Sequence, residues 1–350
     1  MKRVHILSSS YKFKGQGVAS AFDNHLQLMK TLKDDFEVYA NSKENLEKSD
    51  IVHVHTLDVG HYFAIKKMKK KALLVVSAHI VPDSLKGSLK LTALWLPVFT
   101  KYLLHFYRYC DVIVAVSDQV KEELIDLGLP EEKIVIFTNY IIREHFETHY
   151  SPEEKTVLRE KYNIPQDHFI VISAGQIQPR KGIQEFIETA QKLKNENTIF
   201  IWCGNMPFKQ ASEGYANMKA LINNAPDNVR FPGLVTENQM KEYYALADTF
   251  FLPSRQETFG LVIPEAGGSS LPIVLRNLPV YEKIFGNHYL KGQDVNDFAR
   301  LIKQLKDDQP LYSEYAQKAF DLFEQYTEDK YTEKIKNLYL KAYEKKFRKK

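Results

Sequence analysis

Two glutamates, eight positions apart in a largely apolar segment, are the first residues of this 350-residue chain that suggest chemistry. The segment reads ETFGLVIPEA, and its acids are Glu257 and Glu265. Eight residues make a little over two helical turns, so we expect Glu257 at a helix entrance and Glu265 inside that helix, facing one ligand from two depths. Both carboxylates can accept hydrogen bonds from vicinal sugar hydroxyls. The alternative makes Glu257 a helix-dipole partner and Glu265 an exposed acid, which the apolar neighbours disfavour.

Two adjacent cations lie upstream of these acids. Arg180 and Lys181 stand between a predicted strand, FIVISAG, and a predicted helix that begins near Gly182. A helix N-terminus offers unpaired N–H groups and a positive dipole, and the two side chains add full positive charge. This combination suits a diphosphate group. The alternative is that both residues are solvated loop cations.

Glycines mark two further candidate contacts with a ligand. Gly260 allows a close approach of the backbone, and the amides after Phe259, including that of Leu261, are expected to point at the ligand. Near the N-terminus, YKFKGQGVAS contains a G-x-G turn at Gly15 and Gly17. The third glycine of a dinucleotide fingerprint is missing, so a nicotinamide-dependent oxidoreductase is only a weak alternative.

Histidines occur in or directly after two predicted strands. His53 and His55 share one strand face and could bind zinc, but no third ligand is in obvious register, so structural roles are favoured. His79 directly follows a buried strand, where ligands of α/β proteins bind, and we expect it to be functional. Asp83 either orients a hydroxyl or caps the next helix. The chain has no Asp-x-Asp motif, and we predict that it binds no metal.

The elements that must position these residues form two series of short apolar runs separated by helical patterns. The predicted strands are 3–8, 51–55, 73–77, 111–116, 168–175, 198–204, 249–254 and 271–276. Such alternation predicts parallel sheets with helices on both faces. The polar segment 139–167 is predicted to be a linker, and the charged tail from about residue 311 is predicted to be helical.

The predicted fold is therefore α/β, with two doubly wound, Rossmann-like domains that face a central cleft. The first domain is placed at residues 1–150 and the second at 160–325. The C-terminal helix, 328–350, is expected to pack back on the first domain. Ligands are expected in the cleft, outside the carboxyl ends of the strands.

Composition indicates a globular intracellular protein. Hydrophobic residues make up 44% of the chain and charged residues 26%. Cys110 and Cys203 both lie in predicted regular elements, which favours a reducing cytosol over a disulfide framework. The N-terminus lacks a signal peptide, and no apolar run approaches the roughly 18 residues of a spanning helix. We therefore expect a cytoplasmic protein whose membrane contact is peripheral.

Charge is concentrated in one part of the first domain. The net charge is only +4, but residues 61–110 contain nine basic residues and one acid. Aromatic and basic side chains combine there as in helices that lie in the headgroup layer of anionic bilayers. The candidate membrane and acceptor residues are Lys86, Lys90, Trp95, Phe99, Lys101, Tyr102 and Arg108. The alternative is a core helix. We expect an anionic membrane surface as partner, and no nucleic acid.

Three motifs together, GQIQPRKG, PSRQETFG and ETFGLVIPEA, resemble the nucleotide-sugar lobe of GT4-type retaining glycosyltransferases, with their E-x7-E signature. The resemblance implies the GT-B fold. It implies that Glu257 contacts the donor sugar's hydroxyls and Glu265 the nucleotide ribose, and that Arg180 and Lys181 neutralise the diphosphate. It also implies a histidine near the donor sugar, here His79.

One position departs from this family. Many members have Gly-Arg where this chain has Gly175 followed by Gln176, so one phosphate-binding cation is missing or is supplied by Arg180. The glycine loop near the N-terminus corresponds in such enzymes to a close approach to donor and acceptor. The fixed cations and helix dipoles are expected to replace a divalent metal at the diphosphate.

Two N-terminal stretches, KGQGVASAF and SAHIVPDSLKGSL, further resemble bacterial diacylglycerol glycosyltransferases. This resemblance implies transfer of a hexose, with glucose expected, from a UDP-sugar to diacylglycerol or monoglucosyl-diacylglycerol at the inner face of the cell membrane. The alternatives are a UDP-galactose donor, a polysaccharide or polyprenyl-linked acceptor, and a silent sugar-nucleotide binding module.

Overall fold

The chain forms two compact units, which are described separately. The computed structural model describes residues 1–10, 17–82, 92–206 and 214–348. Of these, unit 1 contains 1–10, 17–82, 92–142 and 327–348, and unit 2 contains 143–206 and 214–326. The chain thus leaves unit 1 after Ile142, earlier than the sequence analysis placed the boundary. The C-terminal helix belongs to unit 1.

Unit 1 is built on a six-stranded parallel sheet with the strand order β2-β1-β3-β4-β5-β6. Its strands are β1 (Lys2–Leu7), β2 (Phe36–Ala40), β3 (Ile51–Val54), β4 (Leu73–Ala78), β5 (Val112–Ala115) and β6 (Ile134–Ile136). Its helices are α1 (Gly17–Thr31), α2 (Val59–Met68), α3 (Thr92–Tyr109), α4 (Asp118–Asp126) and, at the C-terminus, α14 (Asp329–Phe347). The runs IVHV, LLVVSA and VIVA are buried throughout, as expected of strands covered on both faces.

Unit 2 repeats this plan with the strand order β12-β11-β10-β7-β8-β9, also parallel. Its strands are β7 (Phe169–Ala174), β8 (Thr198–Cys203), β9 (Val229–Gly233), β10 (Thr249–Leu252), β11 (Ile273–Arg276) and β12 (Leu290–Gly292). Its helices are α5 (Arg143–Phe146), α6 (Pro152–Lys161), α7 (Ile183–Lys192), α8 (Tyr215–Asn223), α9 (Glu237–Leu246), α10 (Val262–Gly267), α11 (Pro279–Phe285), α12 (Val295–Asp307) and α13 (Gln309–Gln325). The α/β, doubly wound prediction is confirmed for both units.

The segment predicted to be a linker is folded, because its cap signal starts a helix. The Ser151 hydroxyl accepts a hydrogen bond from the Glu154 amide at 3.2 Å, and the Glu154 carboxylate accepts one from the Ser151 amide at 2.7 Å. This capping box satisfies two of the free N–H groups at the start of α6. Residues 152–161 therefore form a helix of unit 2 and do not link two domains.

Candidate functional site

The two glutamates that opened the sequence analysis are both buried in unit 2, but they do not share one helix. Strand β10 ends at Leu252, and helix α10 begins only at Val262. Glu257 therefore lies in the preceding loop, and the prediction that it stands at a helix entrance is wrong. Glu265 lies inside α10 as predicted. Their residual exposures of 6% and 8% exclude the exposed-acid alternative.

Glu257 forms an ion pair with Lys181. Lys181 belongs to a single 3-10 turn, Pro179–Lys181, that follows β7, the strand beside β10. The Ser254 hydroxyl donates a second hydrogen bond to the same carboxylate oxygen at 3.2 Å. Burial by itself raises the pKa of Glu257, but the cations Lys181 and Arg180 and these two hydrogen bonds overcome it, so that the pKa lies below its ordinary value. The carboxylate is thus ionised.

Arg180 ties the same two loops together through hydrogen bonds. Its Nε donates to Gln178 at 3.0 Å and its guanidinium to the Gln256 carbonyl at 3.4 Å. The Arg255 amide donates to the Arg180 carbonyl at 2.7 Å. In the part of the chain that the structure describes, no carboxylate lies within ion-pairing distance of Arg180. A positive charge therefore stands next to the Lys181–Glu257 pair.

Glycine is required where the two loops meet. Gly182 has a φ of +78°, and a β-carbon there would lie 2.3 Å from the Pro253 carbonyl oxygen. No side chain fits, and the left-handed backbone itself favours glycine. The P-R-K-G sequence therefore brings Lys181 against the loop that carries Glu257. The interpretation of Lys181 as a solvated cation is wrong, since its side chain is only 13% exposed.

Glu265 differs from Glu257 because it forms no ion pair with a cation among the described residues. The Tyr244 hydroxyl donates a hydrogen bond to its carboxylate at 3.3 Å. Burial raises the pKa of Glu265 to about 7, against the smaller opposing effect of this hydrogen bond. Near neutral pH the side chain therefore exists in both protonated and ionised forms.

The segment between the two acids offers backbone rather than side chains. Phe259 packs against Phe285 and Tyr326 with 1% of its surface exposed, and Leu261 is also buried. Gly260 has a φ of +85°, a conformation that favours glycine. Contact of a ligand with the backbone amides of Phe259 and Leu261 stays a prediction, and it is compatible with the burial of both side chains.

In unit 1, His79 directly follows β4 and joins a group of buried histidines. Its Nε2 lies 3.0 Å from Nδ1 of His55. His53 lies in β3 and His55 directly follows it, and His25 from α1 supplies the third histidine that the sequence did not reveal. Potential ligand atoms of these last three residues lie within 4.8 Å of one another. Nothing in the spacing of His25 along the chain pointed to this position.

The predicted membrane residues divide between core and surface. Phe99 and Tyr102 of α3 are partly buried against the core, and the Tyr102 hydroxyl donates to the Leu57 carbonyl at 2.9 Å. The predicted membrane residues with exposed side chains on α3 are Lys101 and Arg108, and Arg108 donates to a backbone carbonyl at 3.3 Å. Trp95 is partly exposed and contacts Phe99.

Helices α2 and α3 expose apolar side chains that are not among the predicted membrane residues. Val59 and Phe63 on α2 and Val98 on α3 are exposed by 62%, 56% and 72%. These two helices pack together, because the Tyr62 ring contacts several aromatic rings of α3. No described helix is both long and apolar enough to span a bilayer.

Four residues with predicted roles, Gly15, Asp83, Lys86 and Lys90, lie outside the described residues. Gly17 is described, as the first residue of α1. A β-carbon at this position would meet nothing within 4 Å. The structure therefore gives no steric reason for a glycine at Gly17.

Two family models match successive parts of the chain. Residues 4–144 match the family described as Glycosyltransferase Family 4, and residues 154–321 match Glycosyl transferases group 1. Full-length relatives agree: the chain is 33% identical over 346 residues to the alpha-galactosylglucosyldiacylglycerol synthase of Streptococcus pneumoniae, covering 98% of this chain and 89% of the relative. The chain belongs to the family 4 glycosyltransferases.

Other relatives of this glycosyltransferase agree with the assignment. It is 29% identical to the processive diacylglycerol alpha-glucosyltransferase of Acholeplasma laidlawii, covering 93% of this chain and 94% of the relative. Its fold is similar to that of Anabaena HepE, crystallised with UDP and glucose, with a TM-score of 0.75 at 17% identity, covering 97% and 99% of the two chains. The predicted GT-B fold is thereby confirmed.

Proposed function

We propose that this glycosyltransferase moves a hexose, with glucose expected, from a UDP-sugar to diacylglycerol or monoglucosyl-diacylglycerol, with retention at the anomeric carbon. The observation that carries the proposal is the buried Lys181–Glu257 pair beside Arg180, at the ends of two neighbouring parallel strands. The names of the relatives support a glycolipid acceptor, and the UDP and glucose bound to HepE support the donor class.

In the proposed donor complex, Arg180 and Lys181 neutralise the diphosphate, together with the free N–H groups at the start of α7. Negative charge grows on the diphosphate as its bond to the sugar breaks. Cations that are already held in place stabilise that charge without reorganising. Because Gly182 fixes the loop, Lys181 is held in place before the donor binds. We therefore propose that no metal ion is needed, and that activity survives chelation by EDTA.

The two carboxylates bind hydroxyl groups of the donor. Glu257 is ionised and therefore accepts hydrogen bonds from the sugar hydroxyls. Glu265 accepts hydrogen bonds from the ribose, and its ionised form accepts stronger ones than its protonated form. Backbone amides after Phe259 approach the donor where Gly260 leaves room. His79 contacts the sugar, as the family resemblance implies.

Retention requires that the acceptor attack from the face that the diphosphate leaves. The acceptor oxygen forms its bond to the anomeric carbon while the bond from that carbon to the diphosphate oxygen breaks. The proton of the acceptor hydroxyl passes to an oxygen of the departing diphosphate. No side chain of the enzyme acts as a nucleophile in this scheme.

The proposed acceptor reaches unit 1 from an anionic bilayer. Helices α2 and α3 expose Val59, Phe63 and Val98, and α2 is followed directly by further basic residues. Lys66, Lys67, Lys70 and Lys71 are exposed. Exposed apolar groups beside cations suit the headgroup layer, where each lysine contributes about 1 kcal/mol. Lys69 is not available, because it pairs with Asp111.

Radiolabelled UDP-glucose and UDP-galactose, each offered with diacylglycerol and with glucosyl-diacylglycerol, test the reaction. We expect one labelled glycolipid from UDP-glucose on thin-layer chromatography, unaffected by EDTA. A product from UDP-galactose alone would reassign the donor. Label found only in a polyprenyl-linked or polysaccharide product would reassign the acceptor. Binding of UDP without any transfer would identify a silent binding module.

Flotation with liposomes tests the membrane surface. Replacing Lys66, Lys67, Lys70 and Lys71 by glutamine should weaken binding to anionic vesicles by about 4 kcal/mol in total, because each contributes about 1 kcal/mol. Replacing Lys192 and Lys194, which are exposed on unit 2, is the matched control. Equal flotation of both variants would contradict this surface.

A further inference from the structure

Six buried or partly buried side chains of unit 1 form one continuous chain of hydrogen bonds. They come from β3, β4, α1 and α14, together with His55 and His79, which directly follow β3 and β4. In order, the chain runs Ser77, His53, Tyr339, His25, His55, His79. The successive donor–acceptor distances are 2.8, 2.7, 3.0, 2.8 and 3.0 Å. All five lie in the range of ordinary hydrogen bonds.

The four histidines of this hydrogen-bond chain are neutral. Burial lowers the pKa of His25 to about 3 and that of His79 to about 4. It also places the pKa values of His53 and His55 well below the ordinary value, and the neighbouring histidines add to the effect. A neutral imidazole carries one N–H, so it donates at one nitrogen and accepts at the other.

The geometry fits a hydrogen-bond chain better than a metal site. A metal ion would need lone pairs from His25, His53 and His55 directed at one point, at about 2.0–2.1 Å. Instead, Nδ1 of His25 faces Nε2 of His55, and Nε2 of His25 and Nδ1 of His53 both face the Tyr339 hydroxyl. Both nitrogens of each of these three rings are therefore already engaged.

Ser77, at one end of the hydrogen-bond chain, determines which atom donates in each of the five hydrogen bonds. Ser77 is buried, and among the described residues the only partner of its hydroxyl is His53. If Ser77 accepted from His53, its own hydrogen would be left without an acceptor, which is costly for a buried group. Ser77 therefore donates to Nε2 of His53. Nδ1 of His53 then donates to Tyr339, which in turn donates to Nε2 of His25.

Because each neutral histidine donates at one nitrogen and accepts at the other, the donors of the remaining hydrogen bonds follow as far as His79. Nδ1 of His25 donates to Nε2 of His55, and Nδ1 of His55 donates to Nε2 of His79. Because Nε2 of His79 accepts, its single hydrogen must be on Nδ1. Whether one ring nitrogen of a histidine carries the hydrogen depends on the hydrogen bond that the other nitrogen makes. For His79 this is the bond from His55, the last of the five hydrogen bonds.

We propose that Ser77 and Tyr339 are positioning residues, which hold His79 as the tautomer that presents an N–H at Nδ1. This inference rests on the proposed function for its consequence: His79 then donates a hydrogen bond to an oxygen of the transferred sugar and does not act as a base. Tyr339 lies on the C-terminal helix α14, 260 positions along the chain from His79. The last helix thereby sets the chemistry of a residue that follows β4.

Nitrogen NMR of the full-length protein, labelled with 15N in histidine, tests the tautomer directly. The His79→Gln spectrum identifies the His79 signals. We expect Nδ1 of His79 to be protonated and Nε2 to be bare in the wild type. In Tyr339→Phe and in Ser77→Ala the donor that feeds the chain is lost, and the His79 signals should shift towards a mixture of both tautomers.

Tyr343→Phe is the matched control. Tyr343 lies one turn further along α14 and donates to Asp50 at 3.1 Å, outside the chain of histidines. The Tyr343→Phe substitution also removes a tyrosine hydrogen bond from helix α14, and it should leave the His79 signals unchanged. An Nε2–H signal for wild-type His79, or identical His79 signals in wild type and Tyr339→Phe, would overturn the proposal. So would one equivalent of zinc that survives purification and is lost in His25→Gln.

Kinetics separate this proposal from the proposed function. We expect Tyr339→Phe to lower kcat about fivefold, as for one weakened hydrogen bond, with the KM for UDP-glucose unchanged. Tyr343→Phe should keep the wild-type kcat. If the wild type makes no glycolipid, the proposed function fails, whereas the NMR measurement still tests the chain. If the wild type is active and both tyrosine variants have the same kcat, the positioning role fails.

Discussion

Each unit buries a polar cluster at the carboxyl ends of its parallel strands. The two clusters offset the free-energy cost of burying polar groups in opposite ways. In unit 2, Lys181 and Glu257 are buried as a charged pair. In unit 1, four histidines are buried as neutral rings that satisfy one another. A buried ion pair keeps strong fixed charge near a ligand, and a neutral chain keeps only the direction of its hydrogens. The difference predicts opposite responses to mutation and to pH.

The largest effect is expected when the charged pair is broken. Glu257→Gln keeps the shape of the side chain but loses the ionised acceptor of the sugar hydroxyls. We expect kcat/KM for UDP-glucose to fall by about 10²–10³-fold, the range seen when one preorganised charge-stabilising group is removed. Steady-state kinetics with the purified glycolipid acceptor measure this fall.

Glu185→Gln is the control for that variant. Glu185 is also buried in unit 2 and accepts hydrogen bonds from Arg255 and Arg276. Both variants should lose stability, but only Glu257→Gln should lose two or more decades of activity. The double variant Glu257→Gln/Lys181→Met should recover stability without activity, because Lys181→Met removes the buried cation that Glu257→Gln leaves unpaired. Full turnover by Glu257→Gln would remove Glu257 from the donor site.

The neutral cluster predicts that acid destabilises unit 1. The pKa values of His25 and His79 are about 3 and 4 in the folded chain, against about 6.5 when unfolded. Stability from these rings is complete above pH 6.5 and is lost as the pH falls, because only the unfolded state takes up protons. At pH 5.5 these two residues alone cost about 3 kcal/mol.

Hydrogen exchange measured by mass spectrometry on the full chain at pH 7.5 and 5.5 checks this loss, once corrected for the intrinsic rate. Peptides from β3, β4 and α14 should lose protection at pH 5.5. His149→Gln is the control, because His149 is exposed and its replacement should not alter the response. Unchanged protection of unit 1 at pH 5.5 would mean that the histidines are not held neutral by burial.

The sequence predicted the inner strands of both sheets and missed the edges. β3, β4 and β5 in unit 1 and β7, β8, β10 and β11 in unit 2 are mostly apolar, and β1 is mostly apolar after Lys2 and Arg3. The missed strands are β2, β6, β9 and β12, each at the edge of its sheet. Edge strands are covered less completely, as the partly exposed residues of β6 and β9 show. The sequences of β2, β9 and β12 each contain a charged residue and so lack the uniform apolar character on which the prediction depended, whereas β6 is apolar but only three residues long.

The site was predicted unevenly for a similar reason. Arg180, Lys181, Glu257 and Glu265 lie in short motifs, and the structure brings Lys181 and Glu257 together. The histidine chain was not predicted, because its members come from separated elements. Hydrogen bonds connect His25 with Tyr339, which are 314 positions apart. No local pattern encodes such a pairing; only the folded topology brings the two residues together.

Glu265 should give unit 2 the opposite pH response. Its pKa is about 7 in the folded chain against about 4.3 when unfolded, so its contribution to stability is complete below pH 4.3 and is lost as the pH rises through 7. Glu265→Gln mimics the protonated form. We expect it to raise the free energy of unfolding by about 3–4 kcal/mol at pH 8 and to have little effect at pH 4.5. Urea unfolding of both proteins at the two pH values measures the difference, and an equal effect at both would contradict it.

The smallest expected effect comes from the one described hydrogen bond to that acid. Ionised Glu265 accepts stronger hydrogen bonds from the ribose hydroxyls than protonated Glu265 does, so binding of UDP-glucose should strengthen as the pH rises from 6 to 8. The Tyr244 hydroxyl favours the ionised form, and Tyr244→Phe should therefore move the midpoint of this pH dependence upward by about 0.5 pH unit. Calorimetric titrations across this range give the midpoint. Tyr243→Phe, on the neighbouring residue, is the control and should leave the midpoint in place. A downward shift in Tyr244→Phe would show that the hydroxyl stabilises protonated Glu265, which would then donate to the ribose.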